Sequence, residues 1–245
     1  MTAYADRFGY DLVVGDGDSC GRPGAWAKVP LLRQLLDTYA VVVWVDADAI
    51  IMDMTADIAS LLPADSFQAL VEVRVVGDAR YRRHPNTGVW VLRDTERARS
   101  FLQQVWDATT YVDHPLWENA AVIDLLGFDL DPGRGPARPS PWMSGTHWLP
   151  EEWNMLVGAH GLVRCRIRHY EALSNSKRVR WMRPDAVRVA ATLDRWTPVS
   201  CASYVRLATV RWFDRSCYRL RRKFRYVRET HTWRPHASEA DERAS

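Results

Sequence analysis

Residues 40–53 read Ala-Val-Val-Val-Trp-Val-Asp-Ala-Asp-Ala-Ile-Ile-Met-Asp, and this stretch decides the fold. Val41 to Val45 is a charge-free run of β-branched and aromatic side chains. Such a run reads as a strand buried on both faces, as in a parallel or mixed sheet covered by helices. It ends in two carboxylates, Asp46 and Asp48, one residue apart. In extended backbone, positions i and i+2 point to one side, so the two carboxylates are expected to converge. Converging like charges call for a cation between them. Ligands of open α/β sheets lie beyond the carboxyl ends of strands, which is where a divalent metal holding a phosphate belongs. Three readings compete: a solvated turn, a calcium loop and a metal–diphosphate site. The calcium loop fails, because Ile50 and Ile51 stand where oxygen ligands and a Gly are required. The apolar segment Ala49 to Met52 sets the pair in a buried context and favours the metal site over the solvated turn.

Upstream, Tyr10 to Val14 reads as a strand after the Gly9 break, and residues 15–24 as a Gly- and Asp-rich loop. Trp26 to Leu36 has the spacing of an amphipathic helix, with Pro30 tolerable near its start. It carries Lys28, one of only three lysines against thirty arginines. Lys28 is either a surface cation or a partner of the diphosphate and Asp46. Downstream, Asp57 to Leu62 reads as a short helix and Phe67 to Val73 as a strand. His84 to Asp94 reads as a turn entering a strand. Its Asn86, Thr87 and Gly88 offer two short hydrogen-bonding arms and a backbone that a ligand can approach. Asp94 is expected to cap a helix over Arg97 to Trp106. Pro115 to Gly127 reads as a helix bounded by Pro and Gly, with Glu118 and Asn119 in its first turn. A carboxylate there also suits the helix dipole alone. Residues 129–145 are a Pro- and Gly-rich loop, and Leu162 to Arg168 a strand delivering His169.

Trp44 to Ile51 resembles the Asp-x-Asp segment of GT-A nucleotide-sugar glycosyltransferases, and among them the galactosyl/xylosyl α-transferase family. Further pieces resemble that family in its order: Tyr4 to Tyr10, Trp26-Ala27-Lys28, Asn86-Thr87-Gly88, Glu118-Asn119, Leu149 to Asn154, and His169. The resemblance implies a GT-A-like, Rossmann-type mixed sheet flanked by helices. It implies Asp46, Asp48 and His169 as ligands of Mn2+ or Mg2+. Lys28, Asp46, Asn86, Thr87, Gly88 and Lys177 would bind the donor, and Trp153 and Asn154 would line the acceptor groove. Glu118 and Asn119, where the family has an acid followed by Gln, would flank the reacting sugar carbon. The family transfers sugar with retention of configuration. The sequence departs from its His-Phe-x-Gly pattern at His169-Tyr170-Glu171-Ala172, and Lys177 stands a few residues late for the family's phosphate-binding lysine. Tyr4 to Tyr10 corresponds to a stretch after the family's first strand. That strand is therefore expected to be missing, leaving the edge at Tyr10 to Val14 for an upstream extension, another segment or a subunit to cover.

The remaining readings concern the whole chain. Its 245 residues are 47% hydrophobic, and no apolar run reaches the ~20 residues that span a bilayer. The N-terminus lacks a basic-then-apolar leader. Cys20, Cys165, Cys201 and Cys217 are scattered, as in a reduced cytoplasmic protein. The twelve tryptophans are expected mainly in the core. We expect one domain over residues 1–185, a basic amphipathic helical extension over 186–235 and a disordered tail over 236–245. Trp212 to Arg228 mixes aromatics with arginines and reads as a basic helix suited to an anionic membrane surface. A packed helix and a polyanion patch are the alternatives; no nucleic-acid partner is expected. The expected function is metal-dependent sugar transfer from a nucleoside diphosphate sugar, UDP-sugar favoured, to a hydroxyl acceptor. The expected location is the cytoplasm, free or peripheral at the inner membrane face. The rivals are a non-catalytic nucleotide-sugar-binding protein of the same fold and an Asp-x-Asp phosphatase, which would carry Thr where Ile50 stands.

Overall fold

The computed structural model describes residues 1–15, 20–75, 82–130, 137–158, 164–193 and 223–228. Helix α1 (Thr2–Phe8) stops at Gly9, whose φ of 68° costs glycine nothing, and strand β1 (Asp11–Gly15) follows. A 3-10 turn over Gly24–Ala27 leads into α2 (Lys28–Leu36). Strands β2 (Val41–Val45) and β3 (Ala49–Ile51) flank the Asp-x-Asp turn. After a 3-10 turn at Ala59–Leu61 come β4 (Gln68–Val75), β5 (Arg82–Arg93) and α3 (Glu96–Asp107). The cap of α3 is Thr95, whose hydroxyl accepts from the Ala98 amide; Asp94, the expected cap, pairs with Arg99 instead. Helix α4 (Glu118–Leu125) and the short strands β6 (Thr146–Leu149), β7 (Met155–Leu156) and β8 (Ile167–His169) precede the long helix α5 (Asn175–Leu193).

The main sheet has the order β1, a strand β9 (Lys223–Arg228), β2, β5, β4, β6; a second sheet has the order β3, β8, β7. The pairs β4–β6 and β7–β8 are parallel and the other five are antiparallel. This is the mixed sheet flanked by helices that the sequence led us to expect. The run 41–45 is a strand buried on both faces. Val42 and Trp44 pack into one core with α2, α3 and α4, while Val43 and Val45 pack into a second core on the opposite face. β5 divides its side chains the same way, Trp90 and Leu92 against Val89 and Val91.

Two expectations change. Asn86-Thr87-Gly88 lies within β5, not in a turn before it. The β4–β5 register jumps from Leu70 opposite Trp90 to Val71 opposite Asn86, so Thr87, Gly88 and Val89 bulge out of that ladder. A bulge re-aims the residues it frees. The second change concerns the basic extension. Helix is present, but as α5, which runs across position 185 and ends at Leu193. Lys223–Arg228, read as the end of a basic helix, is a strand antiparallel to both β1 and β2, with Val13 opposite Arg225 and Val43 opposite Tyr226. Its residues alternate Lys-Phe-Arg-Tyr over the first four positions, a period of two that suits a strand. β9 lies along β1, the edge at Tyr10 to Val14 that the missing first strand was expected to leave open, and joins it to β2. Residues 194–222 and the expected tail at 236–245 lie outside the described residues. Among the described residues Cys20 and Cys165 are free thiols, and no helix is long and apolar enough to cross a membrane.

Candidate active site

The Asp-x-Asp segment is where the chain leaves one sheet for the other. The Asp46 amide donates to Gly88 O at 2.8 Å, across the end of β2 from the bulge of β5. The Ala49 amide then closes a turn on Asp46 O at 3.0 Å. The two carboxylates therefore converge through a tight turn, not through extended backbone. β3 begins at once and pairs Ala49 with His169 of β8, and the Tyr170 amide donates to Asp48 O at 2.8 Å. Sheet register thus carries His169 to the carboxylates from more than a hundred residues away in sequence.

His169 Nε2 lies 3.3 Å from Asp48 Oδ1 and 3.8 Å from Asp46 Oδ2. One ligand atom from each of the three residues lies within 4.8 Å of the others, a group able to hold a metal ion. The second ring nitrogen decides the fit. His169 Nδ1 lies 3.0 Å from Asn154 Oδ1, while Asn154 Nδ2 donates to Asn86 Oδ1 at 2.7 Å. The amide oxygen is left to accept, so Nδ1 carries a hydrogen and Nε2 is the atom offered toward the carboxylates. Two carboxylate oxygens and one imidazole nitrogen suit a divalent ion such as manganese or magnesium. Burial alone would lower the His169 pKa, but the hydrogen bond and charge of Asp48, then Glu171 and Asp46, hold it above its ordinary value. Burial likewise pushes Asp48 up, but His169 and then Arg178 hold it below the usual carboxylate range against the opposing charge of Asp46.

Lys28 is buried, not a surface cation. Its Nζ lies 3.2 Å from Asp46 Oδ1 and 2.6 Å from Glu118 Oε1, and donates to Thr87 Oγ1 at 3.2 Å. Burial lowers its pKa; Asp46 and Glu118 outweigh that and raise it, so it stays charged. Thr87 is held by α4: its hydroxyl donates to Glu118 Oε1 at 3.1 Å and its amide to Asn119 Oδ1 at 3.1 Å. Glu118 Oε2 is the buried side-chain oxygen without a hydrogen-bond partner among the described residues. Just before it, Trp117 adopts a φ of 49° and ψ of −129°, a strained conformation at the point where α4 presents its first turn to the site.

Gly88 is required by contact. A Cβ there would overlap His169 Cε1, lie 2.5 Å from Nδ1 and 2.8 Å from Asn86 Oδ1. The imidazole therefore packs directly on the bare backbone of the β5 bulge.

Of the donor-binding candidates, the structure brings Lys28, Asp46, Asn86, Thr87 and Gly88 together. Lys177 lies exposed on α5, outside the cluster. Its neighbour Arg178 reaches in: Nη2 lies 3.2 Å from Asp48 Oδ2, and Nε donates to Tyr170 O at 3.1 Å. Sequence reading missed Arg178, though a signal existed. It stands seven residues before Asp185, two helical turns, so both share the inner side of α5. Asp185 is buried there and accepts from Tyr170 Oη and from Arg168 Nη1. Trp153 and Asn154, expected in an acceptor groove, are both buried. Trp153 packs in the second core under Arg166, and Asn154 holds His169. Ile50, where a phosphatase would need Thr, is packed with Tyr170 and Val189.

Residues 1–87 match the galactosyl transferase GMA12/MNN10 family. No curated protein matches the chain. The family match supports the resemblance to galactosyl/xylosyl-type glycosyltransferases, and with it a transferase that moves glycosyl groups.

Proposed function

We propose that this chain transfers a hexose or pentose from a nucleoside diphosphate sugar, a UDP-sugar in the first instance, to a hydroxyl acceptor with retention of configuration. The observation that carries the reading is the convergence of Asp46, Asp48 and His169, with the imidazole oriented by Asn154 and a cation on either side. Asp46, Asp48 and His169 would hold Mn2+ or Mg2+, which when bound supplies Lewis-acid neutralisation of the departing diphosphate. The chain's own residues do the rest. Lys28 and Arg178 bring fixed positive charge to the carboxylate cluster, so that an anionic donor meets a preorganised field. Glu118, paired with Lys28, and Asn119 stand at the first turn of α4 as the groups to steady positive charge on the sugar ring. Gly88 leaves room for the His169 ring, and the Thr87 carbonyl accepts from Lys28.

The test is thermal melting with UDP and Mn2+, on the natural sequence and on Asp48→Ala. A ligand at a hundred times its Kd stabilises a protein by about 2.7 kcal/mol. We expect that shift in the natural sequence and its loss in the variant. Equal shifts in the two proteins would remove the metal–diphosphate assignment. Turnover of UDP-sugars by the same sample separates an enzyme from a non-catalytic binding protein.

A further inference from the structure

Helix α5 has two sides. The inner one carries Arg178, Asp185, Val189 and Leu193 against the body of the protein. The outer one is chemically unusual. At 3.6 residues per turn, Lys177, Arg180, Trp181, Val187 and Arg188 fall within an arc of about 120°. All five are exposed, Trp181 at 55% and Val187 at 62% of full accessibility. Val187 and Trp181 are the most exposed large apolar side chains among the described residues. The arc holds no carboxylate: Asp185, the only acid of α5, is buried and engaged with Tyr170 and Arg168. Arg188 reaches it only at 3.6 Å and stays largely in solvent.

We infer that this outer arc of α5 seats on an anionic lipid surface. Lys177 and Arg180, with Arg188 held to Asp185 at 3.6 Å but largely in solvent, fit a layer of negative headgroups. Exposed Trp and Val among those cations fit the boundary between headgroups and acyl chains, where an amphipathic helix lies in the plane of the membrane. A nucleic-acid backbone would satisfy the cations but give the most exposed group, Val187, nothing to bury against. The segment is distinct from Trp212 to Arg228, where the sequence alone suggested a membrane contact. The seating does not depend on the proposed activity. One consequence rests on that reading: Arg178 ties the same helix to Asp48, so the site would work close to the bilayer, where a lipid-borne hydroxyl is the acceptor class it would meet.

The experiment is sedimentation of the full chain with vesicles of phosphatidylcholine and phosphatidylglycerol in equal parts, against phosphatidylcholine alone, at low and high salt. The natural sequence should sediment with the anionic vesicles at low salt and not with the neutral ones. Each basic residue near the surface contributes a factor of about five, so Arg180→Glu should lower partition by at least that factor. Val187→Ser should lower it as well, which screening by a polyanion would not predict. Both positions are exposed, and both variants should keep the melting temperature and the shift with UDP and Mn2+; that shift reports the proposed activity's site independently of lipid. The inference is overturned if the natural sequence ignores anionic vesicles at low salt. It is overturned equally if both variants bind like the natural sequence, which would place the contact elsewhere. It also fails if Val187→Ser is silent while Arg180→Glu weakens binding to heparin and vesicles alike, the behaviour of a general polyanion patch.

Discussion

The family match ends at residue 87, yet the candidate site is divided almost evenly across that point. Residues before it supply Lys28, Asp46, Asp48, Asn86 and Thr87; residues after it supply Glu118, Asn119, Asn154, His169 and Arg178. The two groups meet in pairs: Lys28 with Glu118, Thr87 with Asn119, Asn86 with Asn154, and Asp48 with both His169 and Arg178. The matched part brings two half-buried carboxylates and the buried ammonium of Lys28; among the described residues the later part adds the Glu118 carboxylate against Lys28, and the His169 imidazole and the Arg178 guanidinium against Asp48. The difference teaches that the later residues complete the site through charge and hydrogen-bond pairing with the matched part.

The strongest way to break this pairing is Lys28→Met. It leaves Asp46 and Glu118 facing each other without their shared cation, and removing one partner of a buried ion pair typically costs about 3–5 kcal/mol. Urea unfolding of Lys28→Met should show a loss of that order. Adding Glu118→Gln should recover part of it, since the uncompensated charge is then gone; strictly additive losses would mean that the two residues act independently.

Gly88→Ala comes next. The new methyl overlaps the His169 ring, and overpacking of this kind costs about 1–3 kcal/mol. The variant should also lose the melting shift with UDP and Mn2+, because the imidazole must move. Adding His169→Ala should restore stability but not the shift.

The Asp48–His169 pair can be sharpened by pH. His169 has a folded-state pKa above its unfolded value of 6.5. Its contribution to the stability of the metal-free protein is complete below pH 6.5 and is lost as pH rises through the folded value. Asp48 runs the other way: its contribution is present above its unfolded value of 3.8 and is lost as pH falls through the depressed folded value. A metal must displace the Nε2 proton, so Mn2+ affinity should climb with pH above 6.5. Calorimetric titration at several pH values checks this, and a flat profile would show that His169 is not a ligand.

The smallest effect lies where the chain departs from the family pattern. Ala172 stands where Gly is usual and adopts a φ of 56°. A left-handed conformation costs a non-glycine residue about 1–2 kcal/mol, offset by glycine's greater freedom in the unfolded chain. Ala172→Gly should therefore raise stability by about 1 kcal/mol or less, read from the urea midpoint, without changing ligand shifts.

How much of this was legible beforehand follows from the range of each signal. Val41 to Val45 announced itself, because a short charge-free run of valines and one tryptophan is rich in the β-branched and aromatic side chains that mark a buried strand. Asp46 and Asp48 were legible as chemistry, although their convergence comes from a turn and not from extended backbone. His169 needed the family's order, since nothing local distinguishes it. Arg178 and Lys177 are neighbours of the same charge, and only the phase of α5, set by the buried Asp185, separates them. The bulge at Thr87 to Val89 was invisible because it is a property of two strands' register. Lys223 to Arg228 was misread because its short alternation sits inside a longer mixture of aromatics and arginines that also suits a helix.

Strand β9 has one more consequence, and it concerns time. It joins β1 to β2, pairing Val13 with Arg225 and Val43 with Tyr226. Contacts between residues this far apart form late, because closing so long a loop loses much chain entropy before any ladder bond returns it. During synthesis, β1 and β2 leave the ribosome long before their shared neighbour is made. The inner edges of both strands must wait until Lys223–Arg228 has been made, a state that invites association between chains. β1 and β2 are thus fast to appear and slow to be completed, and refolding should show a late phase that deletion of Lys223–Arg228 abolishes.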